Sequence, residues 1–263
     1  MDPIVILSKL EQEYLLRIIE SAVQVRDLRQ FFLWTQGQLQ ALLPHRLMVC
    51  MHFDANDALL RLECLHGSVL DDAAMKRLGD PREGLAPRIA RHWRDGARLP
   101  AVSDLGYSAA QSPLARFQPE IERGGFDNLV MHGSGRLLGG GSVFALFGLP
   151  LRPGSRQAYF LELLLPHLHM ALLRLSEQGA AGEPRRAACT MARPLSAREA
   201  EILNWVREGK SNYEVGCILG ISALTVKNHL QRIYKTLGVS NRTHALSRCM
   251  ALRLLDAAPA LER

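Results

Sequence analysis

The chain has 263 residues, 48% hydrophobic and 22% charged, which is enough apolar material for two ordinary domains and excludes wholesale disorder. Of a net charge of +6, most sits in residues 195–263, where ten lysines and arginines face six carboxylates; a small basic unit on a nearly balanced larger one makes a nucleic acid a candidate partner. Five scattered cysteines (Cys50, Cys64, Cys189, Cys217 and Cys249) form no C-x-x-C pair, which argues against a disulfide framework and a cysteine-rich zinc site, and no cofactor or metal is expected.

The start of the chain, MDPIVILSKLEQEY, has no basic leader and only a short apolar run. No later stretch reaches the roughly eighteen apolar residues of a membrane span. A cytoplasmic protein in a reducing compartment is the expectation. Residues 8–25 place Leu10, Tyr14, Leu15, Ile18, Ile19 and Ala22 at helical spacing, and a second helical pattern runs from Leu28 to Leu43, ending at Pro44. The period then changes. Residues 46–53 and 59–65 are short apolar runs separated by Asp54–Asp57, the pattern of a β-hairpin. Residues 82–94 read as a helix and 95–119, rich in Gly, Pro, Ser and Ala, as an irregular excursion. Strands are expected at 126–132 and 142–149, joined by the glycine-rich 133–141, and a helix at 155–175. The order predicts an α+β domain, an antiparallel sheet with helices packed on it, over residues 1–176. Residues 177–193 (EQGAAGEPRRAACTMAR) lack periodicity and read as a linker.

Residues 194–263 carry three helix starts. Ser196-Ala-Arg-Glu199 and Ser211-Asn-Tyr-Glu214 are capping boxes, and Ser222 can cap a further helix after a short turn. In that further helix Val226, Leu230, Ile233 and Leu237 form one apolar stripe, while Lys227, Gln231 and Lys235 fall on another face with Asn228 beside them. A short helix, a tight turn and a two-faced helix are the order of a helix-turn-helix. From periodicity alone, a groove-reading helix and a merely solvated amphipathic helix stay equally open.

Leu195-Ser-Ala-Arg-Glu199, Gly209-Lys-Ser-Asn212, Ile221-Ser222, Thr225-Val-Lys-Asn-His229, Leu237-Gly-Val239, Asn241-Arg242 and Ala245 together resemble the C-terminal domain of the LuxR/FixJ-type regulators. The resemblance implies an all-α tetrahelical module that binds double-stranded DNA. Its third helix would enter the major groove, and its fourth would pair two copies as a homodimer; in this chain the fourth helix, Thr243 to Leu255, places Ala245, Leu246, Cys249 and Leu252 at helical spacing, either as an exposed pairing stripe or as the module's own core. By that match Lys227, Asn228 and Gln231 are the base-reading positions, and Lys210, Ser211, Thr225, Arg232, Lys235 and Arg242 bind phosphates. His229 reads as a structural residue between helices. Two positions depart from the pattern: Val215-Gly216 stands where the family has Ile-Ala, and Thr236 where it has Lys. RNA polymerase stays open as a further partner.

In the first half, residues 126–132 (FDNLVMH), 142–147 (SVFALF) and 166–169 (PHLH) resemble the sensor half of EpsA-type regulators, a LuxR subfamily associated with exosortase and exopolysaccharide gene clusters. The arrangement is also similar to the autoinducer-binding domain of quorum-sensing regulators, an α-β-α sandwich, or to a GAF-like domain. Residues 46–70 hold no Trp and no Tyr, so an acyl-homoserine lactone would lack the polar partners that family supplies; a protein-interaction module and a lactone receptor are the alternatives to a sensor of another effector. Trp34 and Trp93 read as core aromatics. Asp54 occupies the place of a receiver aspartate, but without an acidic pair after Ile4-Val-Ile-Leu7 it reads as a turn residue. The loop from Gly135 to Ser142 lacks a lysine and leads into a strand, unlike a phosphate loop. His167 and His169 point to different sides of a helix and do not suit one metal. No clustered acid, base and nucleophile suggests an enzyme.

Overall fold

The computed structural model describes residues 5–66, 72–96, 100–104, 113–135, 140–177, 190–191, 195–237, 239–251 and 255. The chain divides into two compact units, Met1–His66 with Leu70–Ala192, and a smaller one centred on Arg193–Arg263. Among the described residues no helix is long and apolar enough to cross a membrane.

In the larger unit α1 (Lys9–Ala22) begins with a capping box that went unread in the sequence. The Ser8 hydroxyl accepts from the Glu11 N–H at 3.3 Å and the Glu11 carboxylate accepts from the Ser8 N–H at 2.9 Å. That carboxylate also accepts from Arg156 at 2.5 Å. Arg156, then Ser8, hold the Glu11 carboxyl at a pKa of about 2. The second helix departs from expectation. α2 (Leu28–Leu33) gives way to a π-helical turn at Trp34–Gln38 and a 3₁₀ turn at Leu39–Ala41. The Thr35 hydroxyl donates to the carbonyls of Phe31 and Phe32 at 2.9 and 3.2 Å, competing with the regular ladder, and Gly37 lies inside the wide turn.

Strands β1 (Leu47–Phe53) and β2 (Leu59–His66) form the expected hairpin. Asp54 closes it: its Oδ1 accepts from the amides of Asn56 and Ala58, both at 2.8 Å, and this is the turn role read from the sequence. Helices α3 (Asp72–Gly79) and α4 (Leu85–Asp95) follow, then β3 (Ala101–Asp104), α5 (Gln118–Arg123), β4 (Asn128–Gly133), β5 (Gly141–Phe147), α6 (Ser155–Glu177) and β6 (Thr190–Met191). The sheet order is β3-β4-β5-β1-β2-β6, antiparallel except for the last pair. Four elements were not anticipated: α3, the edge strand β3 inside the supposed irregular excursion, α5 at its end, and β6, two residues of the supposed linker laid beside Glu63 and Cys64. Each is short, so little periodicity marks it. Arg136, Leu137, Leu138 and Gly139 of the glycine-rich loop lie outside the described residues.

The strand period of two sends alternate side chains to opposite layers. Leu47, Val49, Met51 and Phe53 of β1, with Leu129 and Met131 of β4 and Val143, Ala145 and Phe147 of β5, pack against Met75, Leu78, Ile89, Ala90, Trp93 and Ile121 from α3, α4 and α5. On the opposite face α6 lies across β1, β4 and β5, flanked by α1 and α2. The unit is thus an α-β-α sandwich, as expected. Both tryptophans are core residues: Trp34 donates from Nε1 to the Ile18 carbonyl at 3.1 Å, and Trp93 meets the His132 ring edge-on at 5.9 Å. His52 and His169 both reach the Ser142 hydroxyl, at 3.2 and 2.8 Å, with their rings 6.2 Å apart.

His132 is buried and its Nδ1 has no partner. Burial depresses its pKa from 6.5 to about 4. A ring that protonates less readily when folded binds fewer protons in the native state, so its stability contribution is complete above about 6.5 and drains away as pH falls toward 4. The urea midpoint of the full chain should drop across that window, and less steeply in His132→Gln. Equal pH slopes for the two proteins would contradict this account.

Candidate nucleic-acid interface

The smaller unit consists of α7 (Ala197–Arg207), α8 (Asn212–Leu219), α9 (Ala223–Leu237) and α10 (Arg242–Ala251). Both capping boxes read from the sequence are formed. Ser196 and Ser211 each accept from an amide three residues on at 3.3 Å, and Glu199 and Glu214 reach back to the serine amides at 2.9 and 2.8 Å. Ser222 caps α9, its Oγ accepting from the Thr225 N–H at 3.0 Å. These caps satisfy amides that a helix start leaves orphaned, so three helices begin where the sequence fixes them.

α8 ends on Gly220 in the left-handed region, φ 65°, where a side chain is strained. The chain then folds back tightly: the Ile221 N–H donates to the Gly216 carbonyl at 3.0 Å. A Cβ on Gly216 would lie 2.6 Å from the Ile221 carbonyl oxygen. The departure from the family's Ala at this position therefore has a packing reason, close approach of the helix-turn-helix turn to α8. Arg198 secures the same corner, donating to the Leu219 carbonyl at 2.7 Å and pairing with Glu201; no role for it was legible in the sequence.

On α9 the stripe Val226, Leu230, Ile233 and Leu237 is buried, packed with Ile202, Leu203 and Val206 of α7, Val215 of α8, and Ala245 and Cys249 of α10 into the unit's core. Lys227, Asn228, Gln231, Arg232 and Lys235 are all exposed. The helix therefore has one apolar, clamped side and one side of long polar tips, and the structure gathers the predicted base-reading positions Lys227, Asn228 and Gln231 on that free side. His229 is only half exposed and its Nδ1 is buried without a partner, consistent with an inward, structural ring.

The predicted phosphate ligands are more varied. Arg232 and Lys235 are exposed on α9. Lys210 lies 3.9 Å from Glu214. The Ser211 hydroxyl is engaged in its own capping box, and that of Thr225 lies 2.8 Å from Ser222 Oγ. Arg242 turns inward: one nitrogen donates to the carbonyls of Val206 and Lys210 at 3.2 and 2.5 Å, bracing the α7–α8 loop. The expected exposed stripe of the fourth helix is corrected. Ala245 and Cys249 are fully buried because α10 spends them closing the unit's own core, and burial raises the Cys249 thiol to about 12. Leu246 is half-buried, and Leu252 lies outside the described residues.

In the larger unit a cleft of about 810 Å³ opens between α3, α4 and α5. Its lining carries both signs of charge, including Lys76, Arg77, Asp80 and Arg123, and the Arg88 guanidinium donates to both oxygens of Glu120 at 2.7 and 3.0 Å. The sandwich layer between the sheet and these helices is occupied by apolar side chains.

Residues 193–249 match the family model of the bacterial regulatory proteins of the luxR family. The smaller unit is a luxR-family helix-turn-helix domain. Among curated proteins, the probable transcriptional regulatory protein NarL of Mycobacterium tuberculosis is 46% identical over 78 residues, 30% of this chain and 36% of that protein. The transcriptional activator protein PhzR of Pseudomonas fluorescens is 40% identical over 58 residues, 22% of this chain and 24% of its own. The chain thus spans about a third or less of the curated relatives it matches. Among solved structures, SdiA of Escherichia coli aligns over 94% of this chain and 99% of its own at 16% identity, with a TM-score of 0.40.

The turn of this luxR-family domain offers a discriminating substitution. An interior helical glycine costs about 1 kcal/mol relative to alanine, so propensity alone makes Gly216→Ala stabilising. Crowding against the Ile221 carbonyl opposes it with roughly 1–3 kcal/mol of overpacking. We expect Gly216→Ala to lower the melting temperature of the helical unit. A rise of the size that propensity gives would show that the turn yields freely.

Proposed function

We propose that the protein is a DNA-binding transcription regulator in which α9 of the luxR-family domain enters the major groove. The observation that carries this reading is the division of α9 into a fully clamped apolar stripe and an exposed side bearing Lys227, Asn228 and Gln231. A groove-entering helix needs hydrophobic anchorage behind and long polar side chains in front. Asn228 and Gln231 have the donor–acceptor pair that matches an adenine edge, and Lys227 suits guanine acceptors. Arg232 and Lys235 would hold the phosphate backbone, with Lys210, Ser211, Thr225 and Arg242 in supporting positions at its rim; such contacts set register rather than sequence.

In this proposal the larger unit is a sensor and dimerisation module, the protein acts in the cytoplasm as a homodimer on two half-sites, and its targets are exopolysaccharide biosynthesis genes, the last on the strength of the EpsA-type resemblance. RNA polymerase is the partner through which bound protein would act on transcription. An effector that binds one dimer geometry more tightly would shift the spacing of the two recognition helices and so the promoter affinity. The apolar inner face of β1 and β2, Leu47, Val49, Met51, Phe53, Leu62 and Cys64, offers no hydrogen bond to a lactone or amide, and an unpaired buried amide costs on the order of 1–3 kcal/mol. This favours an effector other than an acyl-homoserine lactone. The apolar side chains packed between sheet and helices also support a second reading, in which the larger unit binds a protein and no small molecule. Native mass measurement of the purified chain separates the two: a co-purifying small molecule supports the sensor, and a stoichiometric protein with no small molecule supports the second reading.

Gel retardation with the full chain tests the main claim. Lys227→Ala should reduce affinity for a selected site by about 5- to 150-fold, the range of one base contact of about 1–3 kcal/mol, while leaving the circular dichroism melt unchanged. Binding should also weaken steeply with salt as condensed cations are released from the duplex. Unaltered affinity in Lys227→Ala would remove that side chain from readout, and mapped sites away from polysaccharide genes would remove the pathway.

A further inference from the structure

One side chain on the outward side of α9 is neither charged nor polar. Leu224 is 65% exposed. It lies two residues after the Ser222 cap, in the first helical turn. At about 100° per residue, Leu224, Asn228, Gln231 and Lys235 fall within an arc of roughly 60°, on the opposite side from the buried stripe. Leu224 thus heads the row whose next members are the proposed adenine readers. An isolated exposed leucine is ordinary on a protein surface. This one stands where a recognition helix approaches base edges most closely, since the N-terminal residues of such a helix make the base contacts.

A leucine has nothing to offer a donor or an acceptor. Of the groups displayed along the floor of the major groove, the apolar one is the C5-methyl of thymine. We propose that Leu224 is a specificity-determining residue that packs against a thymine methyl beside the base pairs read by Asn228 and Gln231. The contact would also discriminate against cytosine at that position: the methyl would be absent, and the cytosine N4 amino group would be covered by an aliphatic side chain that cannot accept its hydrogen bond. The neighbouring Thr225 hydroxyl lies 2.8 Å from Ser222 Oγ, at the cap, and its side chain stands about 100° round the helix from Leu224, off the row of readers. This inference rests on the DNA-binding reading above and adds to it the kind of base pair the site selects.

The test uses the full chain and the duplex it selects from a randomised pool. Each thymine of the selected site is replaced singly by deoxyuridine, which keeps every hydrogen-bonding group and removes the methyl. We expect one thymine per half-site at which the replacement weakens the unaltered protein about fourfold, the worth of one buried methyl group. Leu224→Ala should bind the thymine and uracil duplexes equally and keep the salt dependence of the parent. Leu224→Met, which retains an apolar tip, should keep the preference. The proposal is overturned if no thymine shows a uracil penalty, or if the penalty survives in Leu224→Ala. Failure of the unaltered chain to retard any duplex of the pool at low salt is a different result; it sinks the DNA-binding reading, and the role of Leu224 with it.

Discussion

The interface depends on how firmly one helix is held by its back. Val226, Leu230, Ile233 and Leu237 are buried along α9 against residues of α7, α8 and α10, and this fixes the helix in rotation about its own axis. A turn of about 100°, the step of a single residue, would bring Thr225 and Arg232 to the middle of the outward side and carry Gln231 past its edge toward the core. The caps at Ser196, Ser211 and Ser222 and the tight approach over Gly216 then set where the helices begin and how closely the turn folds. Specificity in such a unit is a property of packing before it is a property of hydrogen bonds.

That dependence explains why the smaller unit was so readable. A 3.6-residue apolar stripe and cap residues three positions apart are local signals, and four helices of ordinary length leave little else to decide. What the sequence could not show was which polar groups the fold consumes for itself. Ser211 reads in the sequence both as a cap and as a phosphate ligand, and its hydroxyl is engaged in the cap; Thr225 looks like a phosphate ligand and its hydroxyl meets that of Ser222; Arg242 looks like a surface cation and is a brace. Ala245 and Cys249 look like an interface stripe and are core. For Arg242, Ala245 and Cys249 the competing partner lies on another element, which periodicity does not register. Leu224 has neither donor nor acceptor, so nothing in the sequence marks it as a base reader.

The larger unit was legible in outline. Its two hairpin-like strand pairs and its long closing helix carry strong alternation or strong periodicity, and the α-β-α layering follows from a sheet that is buried on both faces. The errors fall on short elements and on irregular geometry. β3 is four residues long and β6 two, too brief to show a period, and α3 lies in a stretch of mixed composition. The π-helical turn at Trp34–Gln38 arises from a threonine hydroxyl competing for helix carbonyls, and helical spacing of apolar residues gives no hint of it. Function is less legible here than in the smaller unit for a related reason. The layer under α3, α4 and α5 is apolar, and apolar side chains report burial without reporting what, if anything, they bury besides one another.

Dimethyl sulfate footprinting on a duplex bound by the full chain most directly tests whether α9 lies in the major groove. The reagent methylates guanine N7 from the major groove and adenine N3 from the minor groove. With α9 seated as its exposed face requires, guanine N7 positions in the bound site are protected while adenine N3 stays reactive. A bound duplex with every guanine N7 still reactive and its minor groove shielded would contradict the account at its root.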